Sequence, residues 1–236
     1  ETVKAAGGLD LDVAGITIIG LGSGSDRPTI NFTTATSADM DVDAANITLV
    51  NLLFTGGIDA LTGPIDVNAA DFTMIDCETR DVTGQATKWI VTDANADRMK
   101  LINWVHRGAS AAGATEALSI VGGDNLEIVS PDIDGNFSTA AINIATTKTN
   151  DIKIYGAPAK PGFIRNRNSA DVCIKDTVTG STGAIGPFLY LRLADDAANI
   201  TEAVTGATFH LFDPVYVVNA NGEKAMLINW TASTDA

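Results

Sequence analysis

One short pattern recurs along most of the chain. An apolar, a polar and an apolar residue are followed by a variable residue and then by Gly, Asn, Asp or Ser. It reads Ile16-Thr-Ile-Ile-Gly20, Ile47-Thr-Leu-Val-Asn51, Phe72-Thr-Met-Ile-Asp76, Met99-Lys-Leu-Ile-Asn103, Leu126-Glu-Ile-Val-Ser130, Ile152-Lys-Ile-Tyr-Gly156 and, more weakly, Val172-Cys-Ile-Lys-Asp176. Successive copies start 31, 25, 27, 27, 26 and 20 residues apart, an average of 26. A second element precedes each of the first six: Leu11-Asp-Val13, Met40-Asp-Val42, Ile65-Asp-Val67, Trp89-Ile-Val91, Leu118-Ser-Ile120 and Ile142-Asn-Ile144. Both elements alternate with period two, which is the signature of a strand with one face inward. Short polar or small turns such as Ala44-Ala45-Asn46 join them.

Two to three short strands per repeat of this length, with no helical period, predict an all-β chain wound as a parallel β-helix. The repeat is too long for a hexapeptide-type left-handed coil and lacks the consensus of a leucine-rich repeat, so the right-handed form is favoured. About seven coils are expected, rising roughly 29 Å over six intervals. Stacking should align Thr17, Thr48, Thr73, Lys100, Glu127, Lys153 and Cys173 as an outward column. Asn51, Asp76, Asn103, Ser130 and Asp176 fall at the following turn, where a side chain can bond the next coil. Gly20 and Gly156 are expected there at positive φ. Cys77 is expected inward, four coils and roughly 19 Å from Cys173, too far for a disulfide.

The pattern stops near Ile185. Residues 188–193, Ala207–Phe212, Tyr216–Asn219 and Ala225–Trp230 read as a different β-rich piece, with a hairpin turn at Asn219-Ala-Asn-Gly222. The chain is therefore divided into a parallel β-helix, 1–186, and a C-terminal cap or oligomerisation segment, 187–236. An uncapped solenoid end exposes strand edges. The apolar tail side chains Phe188, Tyr190, Phe209, Phe212, Tyr216 and Trp230 are the expected oligomer contact.

Charge narrows the partners. The chain has 15 Lys+Arg against 29 Asp+Glu, a net −14 over 236 residues. Nucleic acid and anionic membrane surfaces both select for basic patches, so neither is an expected partner. No apolar run approaches the about 18 residues of a membrane span. The start at Glu1 rather than Met leads us to expect residues upstream, and residues 1–8 carry no signal-peptide pattern. The sequons at Asn31, Asn46, Asn136, Asn199 and Asn229 read as ordinary strand-and-turn composition.

Candidate chemistry is thin. Asp12, Asp41 and Asp66 are expected to stack outward on three successive coils, a column that wants a basic partner or a cation such as Ca²⁺, or is a solvated acidic stripe. Three single carboxylates in a row do not make a six- to eight-oxygen cage. The pairs Asp132/Asp134 and Asp195/Asp196 are the candidates for a glycan-cleaving site, against an ordinary role in turns. Trp89 and Trp104 fall inward, so they read as core rather than as sugar platforms. His106, placed beside a polar turn, and His210 have no nucleophile or orienting acid at a fixed spacing. Gly20-Leu-Gly22-Ser-Gly24 leads to a strand, whereas a phosphate loop requires a helix. No cofactor and no enzymatic activity are expected.

Several stretches add a resemblance. Ala5-Ala-Gly-Gly-Leu-Asp-Leu-Asp-Val-Ala-Gly-Ile-Thr-Ile-Ile-Gly-Leu-Gly22 with Arg27-Pro-Thr-Ile30 resembles the opening coils of β-helical virion proteins of tailed bacteriophages. Ala44 to Phe54 and Ala69 to Cys77 look like the same group, and Asp213-Pro-Val-Tyr216 with Leu227-Ile-Asn-Trp230 is similar more weakly. Pectate-lyase-like β-helices share the coil pattern but not this wording. The resemblance implies a homotrimer on the virion surface: a capsid decoration (cement or spike) protein bound to the major capsid protein, or alternatively a tail fibre or tailspike that binds or cleaves host polysaccharide. A bacterial polysaccharide lyase is the third alternative, with Lys100, Arg107 and Lys153 as its only basic candidates. No catalytic residue carries over.

Overall fold

In a computed structural model of the chain, the described residues are 1–111, 113–144, 151–168, 173–176, 182–186, 188–192, 208–211, 215–218 and 224–227. They form a parallel β-solenoid of about six turns, consistent with the right-handed form, with no α-helix among them. Each coil uses three strands, the upper end of the expected two to three. One coil runs through β5 (Met40–Val42), β6 (Thr48–Val50) and β7 (Leu53–Gly56), and the next through β8 (Thr62–Val67), β9 (Thr73–Ile75) and β10 (Glu78–Asp81). The strands stack into three sheets. Sheet B holds the Asp-Val elements, from β2 (Leu9–Asp10) through β5 and β8 to β11 (Lys88–Thr92), β14 (Leu118–Ile120), β17 (Ile142–Ile144) and β20 (Ile174–Asp176). Sheet C holds the recurring apolar-polar-apolar element, from β3 (Thr17–Ile19) through β6 and β9 to β12 (Lys100–Ile102), β15 (Glu127–Val129) and β18 (Ile152–Tyr155).

Sheet A is the addition. It stacks β1 (Thr2–Val3), β4 (Thr29–Phe32), β7, β10, β13 (Val105–Arg107), β16 (Asp132–Gly135) and β19 (Gly162–Asn166). The sheets run on past residue 186. β22 (Leu189–Arg192) pairs parallel with β19, and β24 (Val215–Val218) parallel with β22. β23 (Thr208–Leu211) pairs parallel with β21 (Thr182–Gly186), which itself continues sheet C from β18. β25 (Lys224–Leu227) turns back antiparallel on β24, the pairing a hairpin requires; the turn at 219–222 lies outside the described residues.

Two registers differ from the sequence reading. β20 belongs to sheet B, paired with β17 through Ile142↔Ile174, so Val172–Asp176 is not the seventh copy of the sheet C element. Its 20-residue step was the symptom, because it skips to the next coil's first strand. Cys173 consequently leaves the outward column, where Ala184 follows Lys153, and is buried. Asp176 leaves the turn column with it. Cys77 is buried as expected, and both cysteines are free thiols. The second difference is in β11, where the register shifts between Lys88 and Ile90. Ile90, not Trp89, faces Ile65 and Leu118, and the irregularity lets Trp89 and Ile90 both point into the core.

The interior is a set of vertical apolar columns: Met40, Ile65 and Ile90 in sheet B; Leu49, Met74, Leu101, Ile128 and Ile154 in sheet C; Ile30, Phe54, Ile133 and Ile164 in sheet A. Each such side chain removed from water contributes about 1.5–3 kcal/mol. The turns between sheets B and C repeat a left-handed residue at Asn46, Asp71, Arg98, Asn125 and Asp151, and those after sheet C repeat one at Asn51, Asp76, Asn103 and Ser130. Asn and Asp tolerate this region because their short polar side chains bond locally. Asn51 Nδ2 donates to the carbonyl of Gly20 at 2.8 Å, and the Ser130 hydroxyl to that of Lys160 at 2.5 Å, tying coil to coil. Gly20 and Gly156 do not adopt positive φ. Glycine is needed there for close approach: a Cβ would sit 2.1 Å from the carbonyl oxygen of Asn51 or of Phe188.

Candidate functional site

The three outward faces differ in chemistry. On sheet B the acidic column is Asp10, Asp41 and Asp66, in register through β2, β5 and β8. Asp12 is not part of it. Leu9, not Leu11, faces Met40, and Asp12 lies exposed beyond the end of β2. A slip of two residues keeps every side chain on its face, so alternation alone does not detect it. Asp39, Asp43 and Asp93 flank the column. Asp39 accepts a hydrogen bond from the Gly7 amide, and Asp43 accepts one from Asn68 Nδ2 at 3.0 Å. Partial burial, followed by repulsion from Asp41, Asp39, Asp93 and Asp43, pushes the Asp66 carboxyl up to about 6. Asp41 is raised for the same reasons, burial first. Above this coil the column turns neutral and then basic, as Val91, Ser119, Asn143 and Lys175. Among the described residues no group of three or more His, Cys, Asp or Glu side chains comes together to hold a metal ion.

A raised carboxyl is a folding penalty at neutral pH. The folded state holds the proton up to about pH 6 and the unfolded state only to about 3.8, so stability falls as pH rises through that window. Asp66→Asn is therefore expected to raise Tm by about 2 °C near neutrality, after discounting for solvent screening of its exposed part. Below about pH 3.8 the gain should vanish. Thermal denaturation at the two pH values checks this, and an equal gain at both would remove the electrostatic cause.

Sheet A is a ladder of ion pairs. Glu78 is gripped by both Arg27 and Arg80. Asp132 receives Arg107 through two nitrogens, Nη1–Oδ1 at 3.0 Å and Nη2–Oδ2 at 2.5 Å. Asp134 receives Arg167 in the same forked way, at 2.7 and 2.5 Å, with Arg165 at 3.9 Å. Asp132 and Asp134 do share an outward face, at alternate positions of β16. Each is nevertheless committed to an arginine of a neighbouring coil. Of the three basic candidates, Arg107 is spent on Asp132, Lys100 sits 3.3 Å from Glu127 and Lys153 borders the same Glu127. Tyr155 donates to Glu127, and that hydrogen bond first, then Lys100, holds the carboxyl below its usual range.

His106 is not beside a polar turn. It is the central residue of β13, points inward and is almost fully buried. Trp89, Trp104 and Phe137 surround it, with ring centroids at 6.1, 6.0 and 5.6 Å. Trp104 Nε1 donates to the Thr79 hydroxyl at 3.0 Å, and that hydroxyl shares a hydrogen bond with His106 Nδ1 at 2.9 Å. Nε2 is buried without a hydrogen-bond partner. Burial, then the Arg107 charge, pushes the imidazole down to about 3, so the ring is neutral at ordinary pH. Trp89 and Trp104 are core, as expected. The glycine-rich loop leads through a single 3-10 turn, Gly24–Asp26, into strand β4, as expected.

Sheet C carries the feature the sequence reading passed over. The fourth position of its repeat, taken as variable, is Ile19, Val50, Ile75, Ile102, Val129 and Tyr155, in register over six coils. These side chains share the outward face of Thr17, Thr48, Thr73, Lys100, Glu127 and Lys153, because the buried residue between them points the other way. The signal was present: the position is apolar in every one of the first six copies. Beyond these coils, Phe188 is partly exposed. Tyr190 lies in β22, Phe209 and His210 in β23 and Tyr216 in β24. Phe212, Trp230, Asn199, Asn229, Asp195 and Asp196 lie outside the described residues.

No family model matches the chain, and no similar protein is found among curated sequences or solved structures. What the strand pairing defines is the class, a parallel β-solenoid of about six turns.

Proposed function

We propose that the chain is a non-enzymatic bacteriophage virion protein, a capsid decoration or spike protein that sits on the head surface as a homotrimer bound to the major capsid protein. The observation that carries the non-enzymatic part is the closure of Asp132 and Asp134 by Arg107, Arg165 and Arg167. A glycan-cleaving carboxylate has to be free to meet the leaving oxygen or the sugar, and here both oxygens of Asp132 are taken by Arg107 and both of Asp134 by Arg167. The solenoid is built instead for rigidity, with ion pairs and amide bonds fastening each coil to the next. The virion placement rests on the resemblance of Ala5–Gly22 and the two segments after it. A protein that binds only the assembled shell stabilises that shell by mass action. Virions lacking this chain are therefore expected to release DNA at a lower temperature than wild type, scored as infectivity after heating. Equal heat survival would remove the stabilising role. Incubation of the purified protein with host surface polysaccharide should give no new reducing or unsaturated ends; their appearance would replace this reading with a polysaccharide-cleaving tailspike.

A further inference from the structure

We infer that the outward face of sheet C is the surface through which copies of this chain associate. The inference rests on the homotrimer proposed above and names the face that makes it. Ile19, Val50, Ile75, Ile102, Val129 and Tyr155 form one continuous apolar stripe, about 24 Å tall over five coil intervals. β-branched side chains on a flat outward sheet are the composition of a contact core, not of a solvated face, where polar residues alternate with buried ones. Ile19 is 60% exposed, at the end of the stripe where no earlier strand of sheet C covers it.

Two arguments make the occupant another copy of this chain. The first is periodicity. The stripe presents one apolar side chain every about 4.8 Å, and a second copy presents the same rise, so apolar side chains meet at every level. The second is charge. Copies with a net −14 repel, so association has to use the face where that charge is absent. Sheet B presents Asp10, Asp41 and Asp66. The column beside the stripe on sheet C presents three threonines, then Lys100, Glu127 and Lys153, a net positive charge.

The test is the oligomeric state of the full chain by sedimentation equilibrium at tens of micromolar. The variant I75K/I102K puts two charges into the stripe without entering the core, since Met74 and Leu101 are the inward neighbours. It is expected to weaken association by at least about a hundredfold. V91K, the same change on the outward face of sheet B, should associate like wild type. The variant I75T/I102T keeps β-branching and should weaken association by about tenfold while retaining the parent far-UV spectrum, which separates lost contact from lost folding. Wild-type association in both stripe variants would overturn the inference and leave the homotrimer standing on another face. A monomeric wild type would overturn the homotrimer itself.

Discussion

Acidification from about pH 8 to about pH 4.5 is expected to cost the fold roughly 3 kcal/mol through His106 alone. The imidazole titrates near 6.5 in the unfolded chain and is held down to about 3 in the fold. Between those values only the unfolded state takes the proton. Stability is therefore complete above about pH 6.5 and is lost progressively as pH falls toward about 3. The cause is geometric. Protonation would place a charge among Trp89, Trp104 and Phe137 and make both ring nitrogens donors, with no acceptor for Nε2 among the described residues. Asp66 opposes this, because its raised carboxyl makes acidification stabilising between about 6 and 3.8. It is only partly buried and is screened by solvent, whereas His106 is almost fully buried, so the histidine dominates. His106→Asn removes the titration while leaving an amide group to bond the Thr79 hydroxyl. At about pH 8 it is expected to be about 1–2 kcal/mol less stable than wild type, for the smaller side chain. Its stability should then change little through this site on acidification, so the two curves should cross between about pH 5 and 6, with the variant the more stable at about pH 4.5. Urea midpoints at both pH values decide it; parallel losses in the two proteins would mean that His106 is not the acid-labile element.

The same residue explains why sheet A was not legible. Its inward column runs Ile30, Phe54, Thr79, His106, Ile133, Ile164. Two polar residues in the middle break the apolar alternation that betrayed sheets B and C. They are tolerated inside because Trp104 Nε1, the Thr79 hydroxyl and His106 Nδ1 bond one another and the imidazole packs among aromatic rings, a three-dimensional fact with no linear trace. The outward positions of sheet A disguised it further, since Glu78, Arg80, Arg107, Asp132 and Asp134 read as loop charges until the register stacks them into pairs. The acidic column was legible as to type and misplaced by one pleat period at Asp12, for want of any signal that separates Leu9 from Leu11. The apolar stripe failed for the opposite reason. Its pattern was plain, but repetition was sought in what is buried, and a column of Ile and Val facing outward does not belong to any core.

Repeat logic and packing make opposite forecasts at Gly20, and packing is expected to win. The column after sheet C reads Gly20, Asn51, Asp76, Asn103, Ser130, so a consensus rule would put Asn at position 20 and expect a gain. The middle members adopt left-handed backbone, at φ of +55°, +53°, +55° and +51° for Asn51, Asp76, Asn103 and Ser130. Gly20 does not, and a Cβ there would lie 2.1 Å from the Asn51 carbonyl oxygen and 3.1 Å from Leu52 Cδ2. Real atoms do not approach so closely, so Gly20→Asn has to lift the first coil off the second. That breaks the bond from Gly20 N to the Val50 carbonyl, now 2.8 Å, and the bond from Asn51 Nδ2 to the Gly20 carbonyl. A loss of at least about 3 kcal/mol is expected. The converse change, Asn51→Gly, keeps the left-handed turn and forfeits only the side-chain bonds to the carbonyls of Gly20 and Gly22, at 2.8 and 2.9 Å. It should cost about 1–2 kcal/mol. Denaturant midpoints of the two variants rank the effects. If Gly20→Asn proves as stable as wild type, then the coil spacing at this turn is not set by the missing Cβ, and the glycine at Gly156, with its 2.1 Å approach to Phe188, loses the same explanation.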